Sequence, residues 1–96
     1  MSDADTRRQL KQAVLDQIEA WDGNSQRGFQ DIVRNADDVD KDKKILYALT
    51  KAFSVNPDMV HKWGAGKIVP DHFNRWAIVQ QIRETLEKQL GLTTEA

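Results

Sequence analysis

The run from Phe53 to Pro70, FSVNPDMVHKWGAGKIVP, constrains this chain more than any other stretch of it. Within eighteen positions it predicts the end of one helix, a turn, a short second helix, a glycine stop and a proline. Phe53 closes the first helix, and Ser54, Val55 and Asn56 make the turn. Asn56 can cap the next helix, Pro57 suits its first position, and Asp58 complements the positive end of the helix dipole. Val60 and Trp63, three apart, share one face with Met59 beside them. Gly64 and Gly66 are expected to end the helix, Gly66 being free to take a left-handed backbone. Pro70 cannot sit inside a helix here, so it separates this helix from the next. The layout is that of the second half of a helix-turn-helix.

Periodicity places further helices on either side. Asp3 or Asp5 can cap a first helix through about Ala20, with Leu10, Val14, Ile18 and Trp21 as its apolar stripe. Asp22, Gly23 and Asn24 form a turn. Ser25 then caps a second helix whose inward face is Phe29, Ile32, Val33 and Ala36. Asp37 to Asp42 reads as a solvated acidic loop, and a third helix from about Asp42 to Phe53 carries Ile45, Leu46, Leu49 and Phe53. After Pro70, Asp71 can cap a long helix through about Leu90, with Trp76, Val79, Ile82, Leu86 and Leu90 recurring at three and four. Ile78 widens that stripe, Gly91 stops the helix, and Leu92 to Ala96 reads as a frayed tail. No alternating apolar pattern supports a strand. The expected architecture is all-α, a single compact five-helix bundle over 1–96, with an N-terminal helical pair to about 37, the bihelical unit at 42–64 and a C-terminal helix at 71–90.

Phe53, Ser54, Val55, Asn56, Val60, Trp63, Gly66, Lys67 and Pro70 stand in register with one known pattern. On those residues the segment resembles the helix-turn-helix of the lambda-repressor-like (XRE-type) transcriptional regulators, over about a fifth of the chain. The resemblance implies a helical domain of four or five helices that binds double-stranded DNA. Two helices precede the bihelical unit where one is usual, which makes the first helix an addition for packing or pairing. The helix from Pro57 to Trp63 would be the recognition helix, with Asn56, Pro57 and Asp58 nearest the base edges and His61 and Lys62 one turn further along.

Each of those side chains has a plainer alternative. Asp58 either accepts from a cytosine amino group or serves the helix end, and Lys62 either donates to guanine or phosphate or is simply solvated. His61 is a base contact or an exposed histidine. Lys43, Lys44, Lys67 and Arg75 are the candidate phosphate contacts, which set orientation and affinity without reading sequence. Val60 and Trp63 belong to the core, packed against Leu49 and Phe53. Trp21 and Trp76 are packing or dimer-contact residues rather than base-stacking platforms.

Charge and composition narrow the classes. With 14 basic against 15 acidic residues the formal net charge is −1, which weighs against a strongly basic nucleic-acid binder. Locally the balance is different: from Met59 to Arg83 the charged side chains are Lys62, Lys67, Arg75 and Arg83 against Asp71, with His61 and His72 besides. There is no cysteine, hence no disulfide framework or thiolate metal site. Gly64 to Lys67, GAGK, lacks the glycine and the Ser or Thr of a phosphate loop, since His61 and Ile68 stand there. Asp38, Asp40 and Asp42 imitate the start of a calcium loop, yet Lys43 and Leu49 occupy its glycine and glutamate positions. His61 and His72 have no ligand-spaced third partner. No cofactor, no metal and no catalytic constellation is expected. With no apolar leader and no membrane-length stretch, a cytoplasmic location is the default. The expected function is sequence-specific transcriptional regulation, by repression, as a homodimer; the alternative is a protein-interaction module, an adaptor or inhibitor, with the same fold and no DNA contact.

Overall fold

Apolar side chains recurring at three and four residues produce five helices: α1 (Asp3–Ala20), α2 (Gln26–Val39), α3 (Lys44–Phe53), α4 (Pro57–Ala65) and α5 (His72–Gln89). The computed structural model describes residues 3–91, with side chains from residue 5, and among these there is no strand. The side chain of Asp3, one of the two expected caps of α1, and the tail from Leu92 to Ala96 lie outside the described residues; Asp5 falls inside α1. The Cα radius of gyration is 12.8 Å. A single packed body of this length should have about 12–13 Å, so all five helices share one core. No helix among the described residues is long and apolar enough to cross a membrane.

The core is built on α2 and α5. Phe29, Ile32, Val33 and Ala36 of α2 and Ile78, Val79, Ile82 and Leu86 of α5 are buried, and Val14, Leu15 and Ile18 of α1, Ile45 and Leu49 of α3, and Val60 and Trp63 of α4 close over them. Helix α2 packs against each of the other four, most extensively against α4. Two predicted stripes are rotated. In α1 the inward residues are Val14, Leu15 and Ile18, and Leu10 is 48% exposed. In α5 the buried face runs Arg75, Ile78, Val79, Ile82 and Leu86, leaving Trp76 outside it at 52% exposure. The phase of α5 is set by its fully buried aliphatic residues. Arg75 shares their face at spacings of three and four, whereas Trp76 is one residue, or about 100°, away from Arg75.

Local capping follows the sequence closely at three helix starts. The Ser25 hydroxyl accepts from the Gly28 N–H at 3.1 Å, the Asn56 amide oxygen from the Met59 N–H at 2.9 Å, and the Asp71 carboxylate from the Asn74 N–H at 2.8 Å. Such caps are each worth about 1 kcal/mol. Helix α3 starts differently. Lys43 precedes it in a left-handed conformation (φ 58°) and offers no side-chain cap. Asp40 supplies one from five residues upstream: one carboxylate oxygen accepts from the Ile45 N–H and the other from the Gln89 side-chain amide at 3.3 Å. The acidic loop is therefore corrected. Asp37 and Asp38 belong to the last turn of α2, and Asp40 is 2% exposed because it closes the N-terminus of α3 and reaches α5.

Between α1 and α2, Trp21 donates its indole N–H to the Ser25 carbonyl at 2.9 Å and lies so close to Gly28 that an added Cβ there would stand 2.6 Å from the ring. Asp22 accepts from the Asn24 and Ser25 N–H groups, both at 2.8 Å. Those two bonds, the one to Asn24 first, hold its carboxyl below the ordinary aspartate range.

Asp40→Ala should lower the unfolding free energy by about 2 kcal/mol in urea denaturation, while Asp38→Ala, at an exposed position, should change it by no more than about 0.5 kcal/mol. Asp22 has a lowered folded pKa, so its contribution is present above the unfolded value near 3.9 and disappears as pH falls through the folded one. The stability difference between wild type and Asp22→Asn should accordingly shrink in an acid titration and be full near neutrality.

Candidate nucleic-acid interface

Helix α4 leaves α3 after three residues, and each has a local reason. Ser54 adopts the left-handed region (φ 54°), the Val55 N–H bonds the Thr50 carbonyl at 3.1 Å, and Asn56 caps. At the far end Gly66 is also left-handed (φ 77°), and the N–H groups of Lys67 and Ile68 both reach the Lys62 carbonyl, at 3.0 and 3.4 Å. Gly64 does not end the helix as expected. It is buried inside α4, where a Cβ would stand 3.5 Å from the Arg34 Cα of α2, so the two helices approach closely there.

Three contacts fix the inner side of α4. Val60 and Trp63 are buried, and the Trp63 ring meets Phe53 edge to face, centroids 6.2 Å apart at 88°. Such a pair adds about 1 kcal/mol to the area it buries. With its inner side held by α3 and α2, the helix turns Asn56, Pro57, Asp58, His61 and Ala65 to the outside, with Lys62 half-exposed. Beside this face, α2 and α4 border a shallow cleft of about 160 Å³ lined by Val33, Arg34, Asp37, Val60, His61 and Gly64.

The charges on this face are arranged in pairs. Lys62 reaches the Asp58 carboxylate four residues back at 3.0 Å. Asp37 gathers two predicted residues from separate elements, Lys43 at 3.5 Å and His61 at 3.7 Å, the latter a charged partner only when protonated. These pairs are solvent-exposed on the cationic side, and pairs of that kind are worth about 0–1 kcal/mol. Neither Lys43 nor Lys62 is thereby locked away from an incoming anion. Lys44 and Lys67 are exposed, and no carboxylate among the described residues forms an ion pair with them.

Arg75 is a correction. It was expected as a surface cation, but it is 6% exposed and points inward. Its guanidinium donates to the Pro70 carbonyl at 2.8 Å and to the Asn24 carbonyl at 3.2 Å. No phosphate can reach a group so enclosed without breaking those bonds. Arg75 ties the exit from α4 to the turn before α2.

Two surface residues on α3 escaped the sequence reading. Tyr47 and Lys51, with Lys44, recur at three and four on the side opposite Ile45 and Leu49, and the Lys51 ammonium lies 5.5 Å from the Tyr47 ring centroid. A usable signal was present: α3 contains no carboxylate at all. Among the described residues no group of three His, Cys, Asp or Glu side chains is placed to hold a metal ion. What the arrangement offers is a firmly seated helix with an exposed polar face and lysines at both of its borders. Comparison of the chain with protein-family models, curated proteins and solved structures finds no match.

Arg75→Ala should cost about 1–2 kcal/mol in chemical denaturation, because the buried side chain and its part-buried bonds to Pro70 and Asn24 are lost. Lys67→Ala should stay within about 0.5 kcal/mol. A fully stable Arg75→Ala protein would show that the guanidinium is not the tie described.

Proposed function

We propose that this chain is a sequence-specific, DNA-binding transcriptional regulator of the lambda-repressor-like kind, with α3 and α4 as its helix-turn-helix and α4 as the recognition helix. The observation that carries the reading is the seating of α4: its inner side is fixed by Val60, Trp63 and Gly64, while Asn56, Pro57, Asp58, His61 and Lys62 face outward. A major groove about 12 Å wide admits such a helix.

The roles follow from chemistry. The Asn56 oxygen is engaged as the cap, which leaves its amide N–H groups to donate. Asp58 can accept from a cytosine amino group and Lys62 can donate to guanine, once DNA separates that exposed pair. Pro57 presents only apolar surface, suited to a thymine methyl. Lys43 and Lys44 at the start of α3 and Lys67 after α4 supply phosphate contacts at the borders. Arg75 contributes none; it holds the segment that positions Lys67. Around this face Lys43, Lys44, Lys62 and Lys67 stand among Asp37, Asp38, Asp42 and Asp58, so attraction to DNA would come from where the lysines sit and not from a net excess of charge. One recognition helix makes a small interface, and a homodimer on half-sites about 34 Å apart enlarges it. Occupying a promoter in this way represses it.

A protein-interaction module is the second reading, favoured by one observation: Lys43, Lys62 and His61 already have acidic neighbours. Selection of bound sequences from a random duplex pool separates the two. An enriched palindrome supports the regulator, and no enrichment at any salt concentration supports the module. Lys62→Ala and Lys67→Ala should each weaken duplex binding and reduce its salt slope by about 1, while Asp58→Asn should strengthen non-specific binding. Unchanged salt dependence in both lysine variants would remove this face as the DNA site.

A further inference from the structure

We propose that Asp37, Lys43 and His61 form a proton-operated control on the α4 face, through which duplex binding strengthens as the solution turns mildly acidic. The proposal rests on the regulator reading and adds a means of regulation to the same site.

Three elements meet at the Asp37 carboxylate. Asp37 stands in the last turn of α2, Lys43 at the entry to α3 and His61 on the outer side of α4. One carboxylate oxygen faces the Lys43 ammonium at 3.5 Å, and the other faces the His61 Nε2 at 3.7 Å. The backbone fixes this convergence. Lys43 sits in its left-handed conformation with its N–H bonded to the Asp40 carbonyl at 3.1 Å, and α4 approaches α2 closely at Gly64.

The two partners of Asp37 differ in kind. Lysine carries its charge throughout the neutral range, whereas histidine is the side chain that ordinarily changes charge between pH 5 and 8. At 3.7 Å a neutral imidazole makes no hydrogen bond to Asp37, so His61 becomes a partner only on protonation. With His61 neutral, one cation balances one carboxylate. With His61 protonated, two cations share that carboxylate, the cluster becomes positive, and Lys43 is held less firmly.

No other charged group around His61 is a histidine. From α2, Arg34 and Asp38 border the same cleft, and Arg34 is paired with Asp31. From the start of α3 come Lys43 and Lys44, and on α4 itself Asp58 and Lys62 pair with each other. The second histidine, His72, opens α5.

Asp37 gives the control its leverage. Its side chain is 22% exposed, against 55% for His61, and Val33, Val60 and Gly64 line the cleft beside it. Water therefore screens this carboxylate less than a fully exposed one. A partly enclosed negative charge beside α4 opposes phosphate, and protonation of His61 offsets it. Phosphate in turn favours the protonated imidazole, so the proton and DNA each raise the affinity of the other.

The test is duplex binding by the full chain near pH 6 and near pH 8 at constant salt, with the sequence selected from the random pool. Wild type should bind roughly three- to tenfold more tightly near pH 6, with a salt slope steeper by about 1, as one added cation requires. His61→Gln should show the wild-type affinity of pH 8 at both values, whereas His72→Gln should keep the wild-type difference. Both variants should retain the wild-type denaturation midpoint, because both histidines are exposed. Asp37→Asn should bind more tightly than wild type near pH 8, since the opposing carboxylate is gone. Calorimetry in two buffers of different ionisation heat gives a second readout: wild type should take up protons on binding near pH 7, and His61→Gln should lose that uptake. A His61→Gln protein that keeps either the pH difference or the proton uptake overturns the proposal. A wild type that binds equally at both pH values, or more weakly near pH 6, overturns it and leaves the regulator reading standing. A wild type that binds no duplex at either pH overturns both.

Discussion

Helix α2 is the element on which the rest of the structure depends. Its inward residues Phe29, Ile32, Val33 and Ala36 are excluded from water only because all four other helices lie against it. Covering fourteen residues from several sides leaves little space for bulk where helices cross. Ala36 on α2 and Gly64 on α4 meet that demand with small side chains, and the close approach at Gly64 brings the backbone of α4 within ordinary contact of Arg34. The orientation of the candidate recognition helix thus follows from core packing, not from its own sequence alone. Its other restraint, the edge-to-face pair of Phe53 and Trp63, acts from α3.

Polar side chains then tie together elements far apart in the chain. Arg75 joins the exit of α4 to the turn before α2, Asp40 joins the start of α3 to the end of α5, and Arg83 reaches Glu19 of α1 at 3.3 Å. The first two are buried, and their worth lies mainly in what removal would leave unsatisfied. They also redistribute charge. One apparent surface cation, Arg75, is taken into the interior, and one apparent surface anion, Asp40, goes with it. The face of α4 is left with lysines that are themselves open to solvent, so their ion pairs hold them only weakly.

A consistent functional picture emerges from that division. On the proposed reading, a helix that reads a surface has to be immobile on one side and accessible on the other. Here the apolar side of α4 is closed by aromatic and aliphatic contacts, while its outer charges are engaged in pairs that an incoming polyanion can exchange at small cost. The exposed aromatic pair on α5 lies outside this division and belongs to neither the core nor the α4 face.

Much of the fold was legible because its signals are short. Caps at Ser25, Asn56 and Asp71, the stop at Gly66 and the break at Pro70 each depend on residues within about four positions, a distance over which the chain interacts with itself whatever the rest of it does. The inward faces of α2 and α4 were equally plain, since neither Phe29–Ala36 nor Val60–Trp63 offers a competing apolar phase. Where two phases competed, as in α1 and α5, periodicity chose Leu10 and Trp76, and packing excluded both. The candidate site divided in the same way. Asn56, Pro57, Asp58 and His61 are exposed as their helical positions require. Which cations are free was decided only by the tertiary structure, because Asn24 and Arg75 are 51 residues apart, Asp40 and Gln89 are 49 apart, and Asp37 reaches both Lys43 and His61 across three elements. By itself, then, the sequence determined the helices and their ends through local bonds; the tertiary structure decided the environment of each charge, because partners that distant meet only after the core has formed.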